Sequence, residues 1–453
     1  MTSLSRLVPT RSELLEMARL AGPVVIVNLG LVLQGTVDTI MLGHVSAQAL
    51  AAGAVGNLYF YNVVVFGMGL IMSLDPVVSQ AIGAHDAEGT ARGVQRGVIL
   101  ALGAAVVAAL LMLPAPSVLR LARQPAEVIP GAAAYVRWSM LGLVPFLVFT
   151  AFRQTLQAMH RVASMAIAVF LANVLNAGLN WVFVFGHFGV RPMGVVGSAH
   201  ATWISRWLMM PLILWLSWKE LGPTLRPWRP ESNTWRPLAK MIAIGAPVGF
   251  QLFAEGFAFG FSGLVMGWFG ATTLAGHQIV LQLASLTFMV PLGVAGAGAA
   301  MVGRAIGRAD MPAARRDAVA SLACGVGFMG ITAALFMGIP GILAGLFTGD
   351  PATIAMALTL LPIAGLFQVF DGMQVVSAAI LRGTGDTRWP MIFHVLSFWA
   401  VGIPLGLALA FATSVGPQGL WWGLTAGLAS AAVLQVFRVA SHLKRDISRV
   451  TID

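Results

Sequence analysis

Asp38, Glu255 and Asp371 each lie deep inside a long apolar stretch of the chain. A carboxylate at mid-bilayer costs about 2.5–3.5 kcal/mol on insertion scales, so such residues mark ion or proton pathways by default. Glu255 is central in Gly249-Phe-Gln-Leu-Phe-Ala-Glu255-Gly-Phe-Ala-Phe-Gly260, and Asp371 is central in its own stretch, within Phe367-Gln-Val-Phe-Asp371-Gly372. Two carboxylates at similar depth can share one cation or one proton, and the pair then titrates as a unit. Arg206 is the only clear intramembrane cation in the sequence and belongs to the other half, so an imported cation is expected at Glu255 and Asp371.

Asp38 follows Gln34 and Thr36 in the outer third of its stretch. Asn173, Asn176 and Asn180 recur at intervals of three and four, which puts them on one helix face. Amides beside a carboxylate can donate hydrogen bonds to it or offer carbonyl oxygen to a hard cation. The same asparagines would equally serve as interhelical glue. Asp75, ahead of Pro76 near the cytoplasmic end of its stretch, reads as structural, and the lone His277 and His394 read as satisfied interior histidines. Cys324 is the single cysteine, so it can form no internal disulfide, and it reads as a small core residue.

The elements that must position these residues are membrane helices. The chain is 58% hydrophobic and 10% charged, and apolar runs such as 94–116, 167–185 and 322–347 each suffice to cross about 30 Å of hydrocarbon, which takes roughly 20 helical residues. Twelve spans are expected, at 21–42, 54–80, 94–115, 131–154, 163–186, 196–217, 238–267, 274–302, 318–346, 353–380, 390–412 and 418–440. The fold class is therefore all-α integral membrane protein. The 51 glycines and 23 prolines suit it, because neighbouring helices re-satisfy freed backbone groups and small residues permit close packing.

The net charge of +10 follows the topology rather than forming a nucleic-acid patch. Most of the 27 basic residues, Arg6, Arg11, Arg92, Arg96, Arg229, Arg304, Arg316 and Lys444 among them, fall in the N-terminus, the even-numbered loops and the C-terminus. Arg120, Arg123, Arg137 and Arg191, in the odd-numbered loops and their edges, and Arg206, inside the sixth span, are the exceptions, and the positive-inside bias places both termini in the cytoplasm. Glu13, Glu16 and a full-length first span make a removed signal peptide unexpected.

Sliding the sequence against itself by 224 residues brings Pro23 onto Pro247, Gly43 onto Gly267, Leu50-Ala51 onto Leu274-Ala275, Gly69 onto Gly293 and Asp86 onto Asp310. The chain is thus two six-span repeats. Six is even, so the repeats are parallel, related by an axis along the membrane normal, with a central cavity between an N-lobe and a C-lobe. The expected division is 1–222 for the N-lobe, 223–237 for a cytoplasmic linker and 238–453 for the C-lobe. Glu255 falls on Leu31 and Asp38 on Ser262, so the acids do not follow the repeat.

Two enzyme-like patterns fail on context. Gly383-Thr-Gly-Asp386 has the GxGD form of intramembrane aspartyl proteases, but Asp386 belongs to a cytoplasmic loop beside Arg382 and Arg388. Gly325-Val-Gly-Phe-Met-Gly330 fits GxGxxG with no strand before it, and the sequence contains no phosphate-loop lysine motif. No catalytic residues and no enzyme activity are expected.

The ordered set Asp38 ahead of Gly43, Leu50-Ala-Ala52, Gly245-Ala-Pro247 ahead of Glu255, Leu274-Ala-Gly-His-Gln-Ile279, Pro291-Leu-Gly293, Val302-Gly303 and Leu381-Arg-Gly-Thr-Gly-Asp386 resembles the MATE (multidrug and toxic compound extrusion) family over nearly all 453 residues. Glu255 together with Asp371 is similar to its NorM-type branch. The resemblance implies a two-lobed multidrug efflux antiporter working by alternating access. It would export organic, often cationic, compounds in exchange for Na+ or H+, need no cofactor, and act as a monomer in a bacterial-type inner membrane. It further implies cation binding at Glu255 and Asp371 in the C-lobe and a polar N-lobe site for cation, proton or substrate at Asp38, Asn176, Asn180 and Thr202. Gln34, Gln278, Gln282 and Phe367 are candidate cavity-lining residues. Asp75 stands where a neutral residue would be expected, and Phe367 where some relatives carry tyrosine. The alternatives are a lipid-linked oligosaccharide flippase of the wider superfamily, for which a basic cavity would be expected, and the remote intramembrane aspartyl hydrolase.

Overall fold

A computed structural model describes residues 10–452; Arg6, one of the N-terminal basic residues counted above, lies outside them. Twelve long helices follow in order: α1 (Arg11–Gly43), α2 (Ala47–Gly83), α3 (Ala87–Met112), α4 (Ile129–Ala158), α5 (Ala163–Phe185), α6 (Val195–Leu216), α7 (Trp235–Trp268), α8 (Ala271–Gly307), α9 (Met311–Gly338), α10 (Pro351–Thr384), α11 (Arg388–Ala412) and α12 (Gln418–His442). No strand occurs among the described residues. Eleven of these helices are long and apolar enough to cross a membrane. The twelfth, α6, is 22 residues long and less apolar because it carries Ser198, His200, Thr202, Ser205 and Arg206. At 1.5 Å per residue it still spans about 33 Å.

Hydropathy underestimates the helices at their polar ends, where capping side chains set the start. Thr10 and Glu13 form a reciprocal capping box, with Thr10 N donating to Glu13 Oε2 at 2.8 Å and Glu13 N donating to Thr10 Oγ1 at 3.3 Å, so α1 begins at Arg11 rather than at 21. Asp86 accepts from Gly89 N at 2.7 Å and Asp310 from Ala313 N at 3.0 Å. These repeat-related caps start α3 at 87 rather than 94 and α9 at 311 rather than 318. Asp350 caps α10, and hydrogen bonds from the Thr353 side chain and backbone hold its carboxylate below the ordinary range. The ninth span also ends earlier than expected. Pro340 opens a separate short helix, Pro340–Gly345, and forces Ile339 out of the helical region.

Three helices are interrupted. In α2 the helix stops at Ile71 and resumes at Leu74, just ahead of Pro76, whose ring and missing N–H break the ladder. A 3-10 turn, Met140–Gly142, divides α4, and a π-helical turn, Ser397–Gly402, divides α11.

Packing divides the chain into two compact units, and the cuts fall inside helices rather than in the linker. One unit holds the described chain up to Val25, residues 83–85 and the chain from Phe250 to Thr451; the other holds 26–82, 86–249 and Ile452. Val25 and Gly249 stand at the repeat offset of 224, so the first helix of each repeat is cut at the equivalent residue. Close backbone approach accounts for this. In the second unit a Cβ on Gly69 of α2 would lie 2.2 Å from Gly249 Cα of α7. In the first, a Cβ on the repeat-related Gly293 of α8 would lie 3.0 Å from Val25 N of α1. Small residues permit such crossings where side chains would hold the helices apart.

The 223–237 segment packs into the second unit. Gln95 of α3, fully buried, donates to Thr224 O and Pro227 O, both at 3.0 Å, and accepts from Arg229 N and Ser232 Oγ, both at 2.9 Å. Arg229 also pairs with Glu88 at 2.8 Å, which raises the guanidinium above its ordinary range.

Candidate functional site

Within the second unit, α1, α5 and α6 bring one polar cluster together. Asn180 Nδ2 donates to Asp38 Oδ1 at 2.6 Å, and Thr202 Oγ1 donates to Asp38 Oδ2 at 2.8 Å. Asn180 Nδ2 also lies 3.0 Å from Asn176 O and 3.2 Å from Asn176 Oδ1, and Asn176 Nδ2 is 3.5 Å from Thr202 Oγ1. The four residues are buried, and Asn180 Oδ1 has no hydrogen-bond partner. Asn173, although on the same helix, turns away and donates to Gly30 O at 2.8 Å, tying α5 to α1. Gln34 is buried one turn before Asp38.

In the first unit Glu255 of α7 and Asp371 of α10 lie within electrostatic reach of each other. Asp371 is buried, and the Glu255 side chain is 19% exposed. Among the described residues no side chain donates a hydrogen bond to either carboxylate within normal distance. His394 Nε2 of α11 lies 3.6 Å from Glu255 Oε2. Its other ring nitrogen, Nδ1, is 3.2 Å from Gln374 Nε2, and Phe398 stacks on the ring with centroids 4.6 Å apart. Gly372 holds Asp371 in place: a Cβ there would meet Met329 Cγ at 2.6 Å and Gly325 O at 3.1 Å, so α10 lies directly against α9. The first glycine of the GxGxxG pattern thus has a packing role.

Gln278 and Gln282 are exposed one turn apart on α8. Phe367 is buried, edge-on to Trp421 (5.7 Å) and Phe259 (6.0 Å), so its ring fills the aromatic core of the unit instead of facing an opening. His277 is buried and accepts from Trp421 Nε1 at 3.1 Å. Asp386 pairs with Arg438 at 2.7 Å.

Three participants escape the sequence. His394 sits beside Glu255, and Gln374 carries no sequence signal beyond its place one turn after Asp371. Arg153, at the end of the expected fourth span, is buried in α4, with Nη1 3.3 Å from Asn28 Oδ1. Its neighbour Gln154 donates to Asp75 Oδ1 at 2.8 Å. Arg206 is therefore not the only buried cation; its guanidinium lies over the rings of Phe60 (4.6 Å) and Phe146 (4.7 Å).

The MatE family model matches the chain twice, at residues 23–182 and 247–408, and the two matches begin 224 residues apart. The probable multidrug resistance protein NorM of Rhizobium meliloti (strain 1021) is 34% identical over 422 residues, covering 90% of this chain and 89% of that protein. The multidrug resistance protein NorM of Burkholderia vietnamiensis is 34% identical over 441 residues, 94% and 93% of the two chains. The fold is that of the eukaryotic MATE transporter AtDTX14, with TM-score 0.86 at 20% identity over 95% of this chain and 96% of that one. A MOP superfamily transporter from Pyrococcus furiosus aligns equally well, with TM-score 0.86 at 20% identity over 98% of each chain. Its helices and relatives make this a multi-pass membrane protein. With a family match repeated at the offset of its own internal repeat, and relatives spanning nearly its full length, the chain belongs to the MatE family.

Proposed function

We propose that this chain is a secondary-active multidrug efflux antiporter, exporting organic, often cationic, compounds in exchange for Na+ or H+ at Glu255 and Asp371. The observation that carries the reading is the pair itself, two neighbouring acids in long apolar helices that no described side chain hydrogen-bonds. Carboxylates so placed are stabilised by a cation or a proton that arrives from outside the bundle. The names of the relatives, multidrug resistance proteins, supply the substrate class. Exchange follows if cation and drug stabilise different conformations, because a ligand shifts an equilibrium only by its differential affinity for the two states.

The energetics are sufficient. One monovalent cation entering down 100 mV releases about 2.3 kcal/mol. At about 1.4 kcal/mol per tenfold, that sustains roughly a 50-fold gradient of a neutral compound in one-for-one exchange. The Asp38, Asn176, Asn180 and Thr202 cluster serves as a second polar site for cation, proton or drug, with Asn180 Oδ1 available as an acceptor. The protein works as a monomer in a bacterial-type inner membrane with both termini cytoplasmic. Ethidium transport in proteoliposomes under an imposed Na+ gradient, and separately under an imposed pH gradient, tests the proposal; inertness to both refutes it.

A further inference from the structure

His394 stands outside any role proposed so far, although its surroundings are those of a fixed ligand-orienting group. The ring is fully buried, Phe398 stacks on one face, and the π-helical turn Ser397–Gly402 follows within the same helix. π-helical insertions recur at functional sites, where they re-aim side chains. The Gln374 amide nitrogen is a donor, so Nδ1, 3.2 Å away, is the acceptor. The proton of the neutral ring then belongs on Nε2, which points at Glu255 Oε2 from 3.6 Å. That distance is longer than a hydrogen bond, and contacts at functional carboxylates commonly tighten when the ligand binds.

We propose that His394 is a positioning residue for Glu255: its Nε2–H engages Oε2, so that only Oε1 is presented to the coupling cation. The inference rests on the exchange reading of Glu255 given above. Gln374 follows Asp371 by one turn of α10, so the chain from Gln374 through His394 to Glu255 also fixes the register of the two acid-bearing helices, α10 and α7, through α11. Residues that orient a ligating group typically change affinity by 10–100-fold when removed.

The test is ethidium transport by the full chain in proteoliposomes, titrating Na+ in one series and pH in another. His394→Leu is expected to raise the cation concentration giving half-maximal rate about tenfold, with the maximal rate kept within about threefold. His394→Gln, whose amide N–H can replace Nε2–H, restores near-native half-saturation. Gln374→Leu, which releases the tautomer, produces an intermediate rise, and it decides the matter if His394→Leu does not fold. An unchanged half-saturation in His394→Leu, or in Gln374→Leu where that variant decides, overturns the proposal, as does a fall in maximal rate alone. Glu255→Gln in the same vesicles separates the two levels: if it transports normally, the exchange reading fails and this inference with it. If it is inactive while His394→Leu is native, only the role of His394 is lost.

Discussion

Asn180 Nδ2 lies 2.6 Å from Asp38 Oδ1, a contact that closes 142 residues of chain and gives the buried acid of one unit a strong internal donor. Thr202 supplies the second, at 2.8 Å to Oδ2. Among the described residues Glu255 and Asp371 have no comparable donors, so the three acids divide into one that is internally satisfied and two that are not.

Thr202→Val removes the hydroxyl and leaves Asp38 Oδ2 buried without its donor. The expected loss of stability is about 1–3 kcal/mol, the usual cost of an unsatisfied buried acceptor. Thermal unfolding of the detergent-solubilised protein should show a lowered midpoint, and an unchanged midpoint would mean that the contact contributes nothing.

Glu255→Gln and Asp371→Asn preserve shape and remove the charge that would hold a cation. Each is expected to reduce gradient-driven ethidium extrusion by at least about tenfold while expression and gel-filtration behaviour stay native. Unimpaired efflux by both variants would exclude the C-lobe pair from coupling.

Glycine positions separate by the space they leave. At Gly69 an added Cβ would meet Gly249 Cα at 2.2 Å, so Gly69→Ala must displace backbone and costs about 1–3 kcal/mol or more. Gly103, within α3, has nothing within 4 Å, and Gly103→Ala is expected to be neutral or to stabilise by about 0.5–1 kcal/mol through chain entropy. Midpoints measured side by side for the two variants should move in opposite directions or differ clearly in size.

Gln95 makes four hydrogen bonds to the 223–237 segment, and Gln95→Leu removes all of them. Limited digestion with proteinase K should then cut within 226–233 several-fold faster than in the native chain, since cleavage follows the population of the locally opened state. Equal rates would show that packing alone retains the segment.

The sequence by itself determined that the chain folds as membrane helices in two parallel repeats, because hydropathy and a constant offset are written along the chain and need no partner. The acids announced themselves for the same reason: an ionisable residue in an apolar run is costly whatever surrounds it. Capping residues such as Asp86 and Asp310 were legible too, and would have corrected the helix starts. Only the tertiary structure decided which face each residue presents. Asn180 reaches Asp38 and Asn176 reaches Asn180 while Asn173 turns to Gly30, His394 faces Glu255 across 139 residues, and Arg153 meets Asn28. Those outcomes depend on the rotation of each helix about its own axis. Rotation is set by close approaches such as Gly69 on Gly249 and Gly372 on Gly325, and these belong to pairs of helices rather than to either sequence segment alone.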